Sequence, residues 1–220
     1  MAPQIGTVQK HLERIYAIDP GCRAEQHLVA SGHAPDGDPG TPGWRPEEQL
    51  LVREAGTEME LGLYLAPGLL ERLRSDDPLH RLHDGNLADL CLLIEGVSHF
   101  LGVAWHAVLQ RPVTCLELEL QAEIDKYVLV LLLATRQGRG RLPHGLHRRL
   151  FRQARLAPHL PHHERQRYHR ASRYAAHYCN HLARHMNAGG PRDLVRELRR
   201  FYRMQLRGKL GRIRAQGLVH

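Results

Sequence analysis

A chain of 220 residues with 42% hydrophobic and 25% charged content can bury its own core and is too apolar for wholesale disorder. Its four cysteines (Cys22, Cys91, Cys115 and Cys179) are widely separated and include no C-x-x-C pair, which excludes a disulfide scaffold and a zinc knuckle and fits a reducing, cytoplasmic setting. The net charge of +8 is unevenly divided: residues 1–135 carry 10 Lys/Arg and 20 Asp/Glu, whereas residues 136–220 carry 21 and 3.

No basic cluster followed by an apolar run stands at the N-terminus, so no leader is expected. Val8, His11, Leu12, Ile15 and Ile18 recur at helical spacing over 6–18, and Asp19-Pro20-Gly21 stops that helix. A short strand is expected at Gln26–Ala30, followed by an exposed Gly/Pro/Asp-rich loop over Ser31–Arg45. Leu50 and Val52, then Met59, Leu61, Leu63 and Leu65, alternate with polar neighbours on either side of Gly56. That period of two predicts a β-hairpin with one apolar face. A brief helix follows over 68–74.

The densest apolar stretch runs from Asn86 to Ala134. Asn86 is placed to cap a helix reaching about Gln110, where Arg111-Pro112 breaks it. Thr114 and Glu117 form a capping box that opens a second helix to about Ala134. The short connection predicts an antiparallel pair. Residues 88–110 are long enough to span a bilayer, yet Asp89, Glu95, His99 and His106 make insertion costly, so a buried helix is the reading.

Arg136–Arg141 (RQGRGR) reads as a linker between an acidic half (1–135) and a basic half (136–220) packed with it. A modest helix over 146–156, a His/Pro turn over 158–163 and a long helix over 164–186 follow. Asn187-Ala188-Gly189-Gly190 ends the long helix, and Pro191 opens the last one, which runs to about Gln205 or beyond within 192–214; Gly208 and Gly211 loosen its end, and Lys209 counts among the cations around its apolar stripe. The fold class is mainly α (α+β): a helical bundle with one N-terminal hairpin packed on it.

Two constellations bear on function. The first is basic: Arg170, Arg173, His177, His181 and Arg184 share a helical face, and Arg199, Arg203 and Arg207 belong to a basic amphipathic helix. Guanidinium groups in such numbers suit phosphates, so the leading expectation is a non-enzymatic binding protein engaging an anionic macromolecule, nucleic acid ahead of an acidic protein surface. Only three of the 31 basic residues are Lys, a bias that a GC-rich genome produces without function. A protein–protein adaptor whose two halves neutralise each other is the bland competitor.

The second is a polar stripe on otherwise apolar helices. Glu95, His99, Gly102 and His106 fall in one sector of the first core helix, and Glu119, Glu123 and Lys126 in one sector of the second. With His177 and His181, the residues Glu95, His99, Glu119 and Glu123 could hold a divalent metal ion, making a helical-bundle metalloprotein with oxidoreductase chemistry the alternative. The spacing is Glu-x-x-x-His, and the Glu-x-x-His repeat of the di-metal bundles is absent. No P-loop, dinucleotide fingerprint or nucleophile elbow occurs, so the leading reading expects no cofactor and the alternative a divalent metal ion.

Overall fold

The computed structural model describes residues 3–29, 46–56, 58–138, 145–152 and 161–217. Its elements are α1 (Pro3–Tyr16), β1 (Glu48–Ala55), β2 (Glu58–Leu65), α2 (Pro67–Ser75), α3 (Leu87–Val108), α4 (Cys115–Gln137), α5 (Leu146–Arg152), α6 (His162–Tyr202) and α7 (Leu206–Ala215). They form a helical bundle on which the single two-stranded antiparallel hairpin is packed.

α4 is the axis of the bundle. Leu120, Ala122, Ile124, Val128 and Val130 are buried on it, and so are Glu117, Glu119, Gln121 and Asp125 on its remaining sides. A helix buried all round must pair its polar groups internally, and the neighbours of α4 are arranged to do so. α3 lies against it antiparallel: Glu95 meets Lys126 at one end and His106 meets Glu117 at the other. Elements from both sides of the basic linker pack together, α6 on α4 and α1 and α5 on α6.

The hairpin register pairs Glu48 with Leu65, Leu50 with Leu63 and Val52 with Leu61. Successive side chains alternate faces, so these six share one. Leu63 and Leu65 are buried against the helices, with Leu50 and Leu61 packed beside them. Gly96 on α3 makes the close approach workable: a Cβ there would stand 3.1 Å from the Leu63 side chain and 3.1 Å from the Glu48 carboxylate.

α6 is two limbs. Gly190 (φ 78°, ψ −177°) interrupts the helical backbone in a region that only glycine adopts readily, and Pro191 opens the second limb. Tyr178 and Phe201 stack with ring centroids 3.9 Å apart. Each sits about a dozen residues, or roughly 17 Å of helix, from Gly190, so the limbs fold back antiparallel. The second limb packs on α1, where Tyr202 stacks on Tyr16 at 4.1 Å.

Several expectations are corrected. The strand at Gln26–Ala30 is instead a 3-10 turn, Ala24–His27, followed by one parallel bridge between Leu28 and Leu63. Asn86 stands at the start of α3, but its side chain makes no cap; it ties the preceding loop, accepting from His83 N and donating to Arg81 O. Thr114 does cap α4, accepting from the Glu117 amide at 3.2 Å, while Glu117 turns inward and leaves the box half formed. The last helix is not continuous to Arg214. The chain turns after Tyr202, and α7 brings Lys209 (1% exposed) and Ile213 into the core, where a straight extension would carry them away. The loop over 31–45, residues 139–141 of the linker, the far end of the 146–156 helix and the first half of the His/Pro turn lie outside the described residues.

Candidate metal centre in the helical core

The stripe on α3 and the stripe on α4 meet. His99 Nε2 stands 3.6 Å from Glu119 Oε2, and Lys126 Nζ bridges Glu95 Oε2 at 3.1 Å and Glu123 Oε1 at 2.5 Å. α6 adds Arg167, whose Nε lies 3.6 Å from Glu119 Oε1. The hairpin adds Glu48, a carboxylate on the apolar face of β1, with its Oε2 sealed from solvent and without a hydrogen-bond partner among the described residues. Single ligand atoms of Glu95, His99 and Glu119 lie within 4.8 Å of one another. Four carboxylates therefore face three cationic groups among buried and half-buried side chains.

Their protonation reflects that imbalance. Burial raises the Glu48 carboxyl to about 7, with Glu95 and Glu119 adding to the rise and His99 and Lys126 opposing it. Burial alone would lower His99, but the approach of Glu119 and the charges of Glu48 and Glu95 outweigh it and carry the imidazole up to about 9. Burial also opposes the ionised forms of Glu95 and Lys126. For that pair mutual attraction dominates, holding Glu95 below and Lys126 above the ordinary ranges. Glu123 is raised, because burial exceeds what Lys126 returns. The Cys91 thiol, pushed to about 12 by burial, is no nucleophile.

A second polar layer adjoins the first through Ser98, the neighbour of His99. Asp125 accepts from Ser98 Oγ at 2.6 Å, from Gln121 Nε2 at 2.9 Å and from the Tyr16 hydroxyl. Burial raises Asp125 to about 6 in spite of those hydrogen bonds. Lys209 Nζ reaches Glu117 Oε1 at 3.1 Å and Gln121 Oε1 at 3.3 Å, and its pKa is lowered by burial against the pull of Glu117. Every group here has a protein partner, and this layer reads as a satisfied structural network.

The remaining candidates sit elsewhere. Glu123 is bonded to Lys126, as Glu95 is, and like Glu48 it is not in the Glu95–His99–Glu119 group. Arg167 is the α6 residue beside Glu119, so His177, ten residues on, lies roughly 15 Å farther along the helix, and His181 farther still. Neither joins the Glu95–His99–Glu119 group. Of the basic residues, Arg170, Arg173, Arg184 and Arg207 are exposed. Arg199 and Arg203 are exposed too, but their guanidiniums donate to the carbonyls of Arg14, Ile15, Tyr16 and Ala17, closing the C-terminal end of α1.

Sequence reasoning missed Glu48 and Arg167. Glu48 was signalled by parity, since it stands two and four residues before Leu50 and Val52 on the face predicted to be apolar. Arg167 gave no such signal among so many arginines. Comparison with family models, curated proteins and solved structures finds no match, so the functional reading rests on this geometry.

Proposed function

We propose that this protein is a helical-bundle metalloprotein in which Glu48, Glu95, His99 and Glu119 hold one divalent first-row metal ion. The observation that carries the reading is the convergence of Glu95, His99 and Glu119 from α3 and α4, with a third carboxylate, Glu48 of β1, close enough to feel the charges of all three. Charge supports it. Four ionised carboxylates, Lys126 and Arg167 leave a balance of −2, which a divalent ion with neutral His99 cancels. Three oxygen donors and one imidazole favour manganese or iron over a thiolate-loving metal. Ligand atoms around a common ion at about 2 Å stand roughly 3–4 Å apart, so small rotamer shifts complete the shell.

The test is elemental analysis of protein purified without added metal, with calorimetric titration of the chelator-treated protein by Mn(II), Fe(II) and Zn(II). One tightly bound equivalent is expected, lost in Glu119→Gln and weakened at least tenfold in Glu48→Gln and His99→Gln. Background metal, together with no heat of binding for any of the three ions, would leave a self-neutralised ion-pair core as the account.

A second reading has its own observation. Arg170, Arg173, Arg184 and Arg207 are exposed and carry no ion pair or hydrogen bond among the described residues, which suits binding of an anionic macromolecule, nucleic acid ahead of an acidic protein surface. The two readings concern different surfaces and are not exclusive.

A further inference from the structure

On the side of α3 and α4 near α1 lies a partly enclosed cavity of about 230 Å³, whose polar lining residues are Thr7, His11 and Arg136. We infer that it binds a small monocarboxylate with an apolar tail, Arg136 taking the head group and α3 and α4 the chain. Val8, Leu90, Ile94, Leu129 and Leu133 supply a wall with little polar surface to solvate water, so water inside it is poorly held and readily displaced. An apolar cavity of ~150 Å³ takes up benzene, so this one has room for ~9 non-hydrogen atoms by the same scaling.

The polar groups at its edge differ in how far they are committed. Thr7 donates to the Pro3 carbonyl, and His11 Nδ1 is within 2.7 Å of the Thr7 carbonyl. Arg136 is exposed and makes no hydrogen bond or ion pair among the described residues, unlike Arg72, Arg149, Arg167 and Arg212, each of which meets a carboxylate of this chain. A free guanidinium at the mouth of an apolar pocket offers two parallel donors to a carboxylate, whose tail then lies along the lining. Leu132, a 41% exposed apolar residue on the same rim, marks where the tail passes from solvent into the pocket. This site is separate from the buried carboxylate cluster and does not depend on metal.

The probe is octanoate, with octanol as its uncharged counterpart, titrated into the full chain by calorimetry and by methyl-resolved NMR. Expected are saturable one-to-one binding of octanoate in the submillimolar range and shifts confined to Val8, Leu90, Ile94, Leu129 and Leu133. Arg136→Gln should weaken octanoate about tenfold and leave octanol unaffected. Leu132→Glu, at an exposed position that does not disturb folding, should abolish octanoate binding by setting a like charge at the mouth. Equal octanoate affinity in wild type and Arg136→Gln overturns the assignment of the head group. Absence of saturable binding by octanoate, or shifts dispersed over the whole surface, overturns the site.

Discussion

Glu48 and His99 make the same contact answer two questions, one about stability and one about metal. Both hold a proton more tightly in the folded chain than in the unfolded one, His99 up to about 9 and Glu48 up to about 7. A group with a raised folded pKa contributes stability that is complete below its unfolded value and lost as pH rises through its folded value. For metal-free protein the Glu48 contribution fades from about pH 4.5 to 7, and that of His99 from about pH 6.5 to 9. Each is on the order of 3–4 kcal/mol, since one pKa unit is worth about 1.4 kcal/mol. Urea unfolding of chelator-treated protein should therefore show stability falling steadily from pH 5 to 9. Glu48→Gln should flatten the lower part of the slope and His99→Gln the upper part. Saturating Mn(II) should restore most of the loss at pH 8, because the ion takes the place of those protons. A flat profile in the metal-free wild type would mean that these two groups titrate normally and the pocket is wetter than its geometry implies.

At the level of elements, the hinge in α6 decides how the basic half folds. Gly190 alone allows the limbs to return on themselves and bring Tyr178 onto Phe201. Gly190→Ala meets no steric neighbour, yet a Cβ at that φ and ψ costs about 1–3 kcal/mol through backbone strain. Gly211→Ala, also in open space but inside the regular helix α7, should instead stabilise by up to about 1 kcal/mol. Thermal melts of the two variants should move in opposite directions. If both rise, Gly190 does not hold the conformation described. Much of this layout was legible beforehand. The α3–α4 pair, the hairpin and the break at Gly190–Pro191 all announce themselves through period, proline and glycine. The turn after Tyr202 carries no such punctuation. Gly208 and Gly211 pointed to a loosening several residues too late, and Lys209 read as one more surface cation. A wheel projection cannot find that turn, because what bends the chain is a buried partner, Glu117, more than 80 residues away.

For the whole molecule, the question is how much of the excess positive charge the fold uses up. Asp84–Arg149, Glu119–Arg167 and Glu117–Lys209 join the acidic half to the basic one, so part of the asymmetry is internal neutralisation. Arg199 and Arg203 are consumed differently, by the last three carbonyls of α1 and that of Ala17 just beyond it, where a cation also meets the negative end of the helix dipole. Charge counting cannot separate these roles, because an arginine that closes a helix and one that faces water look alike in a sequence. The structure sorts them, and the sorting is testable with two sets of variants. Replacing Arg199 and Arg203 together by Gln should lower stability by about 1–3 kcal/mol, since charge-assisted hydrogen bonds to otherwise unpaired carbonyls are lost. Replacing Arg170, Arg173, Arg184 and Arg207 by Gln should leave stability within about 0.5 kcal/mol, as solvated surface charges contribute little. If the chain engages duplex nucleic acid, the four-arginine variant should bind more weakly across unrelated sequences. Its plot of log affinity against log salt should be shallower by about 0.9 for each phosphate contact removed. Equal affinity and equal slope in the two sets, measured from 50 to 300 mM salt, would remove this face from nucleic-acid recognition and leave the buried carboxylate cluster as the functional feature of the fold.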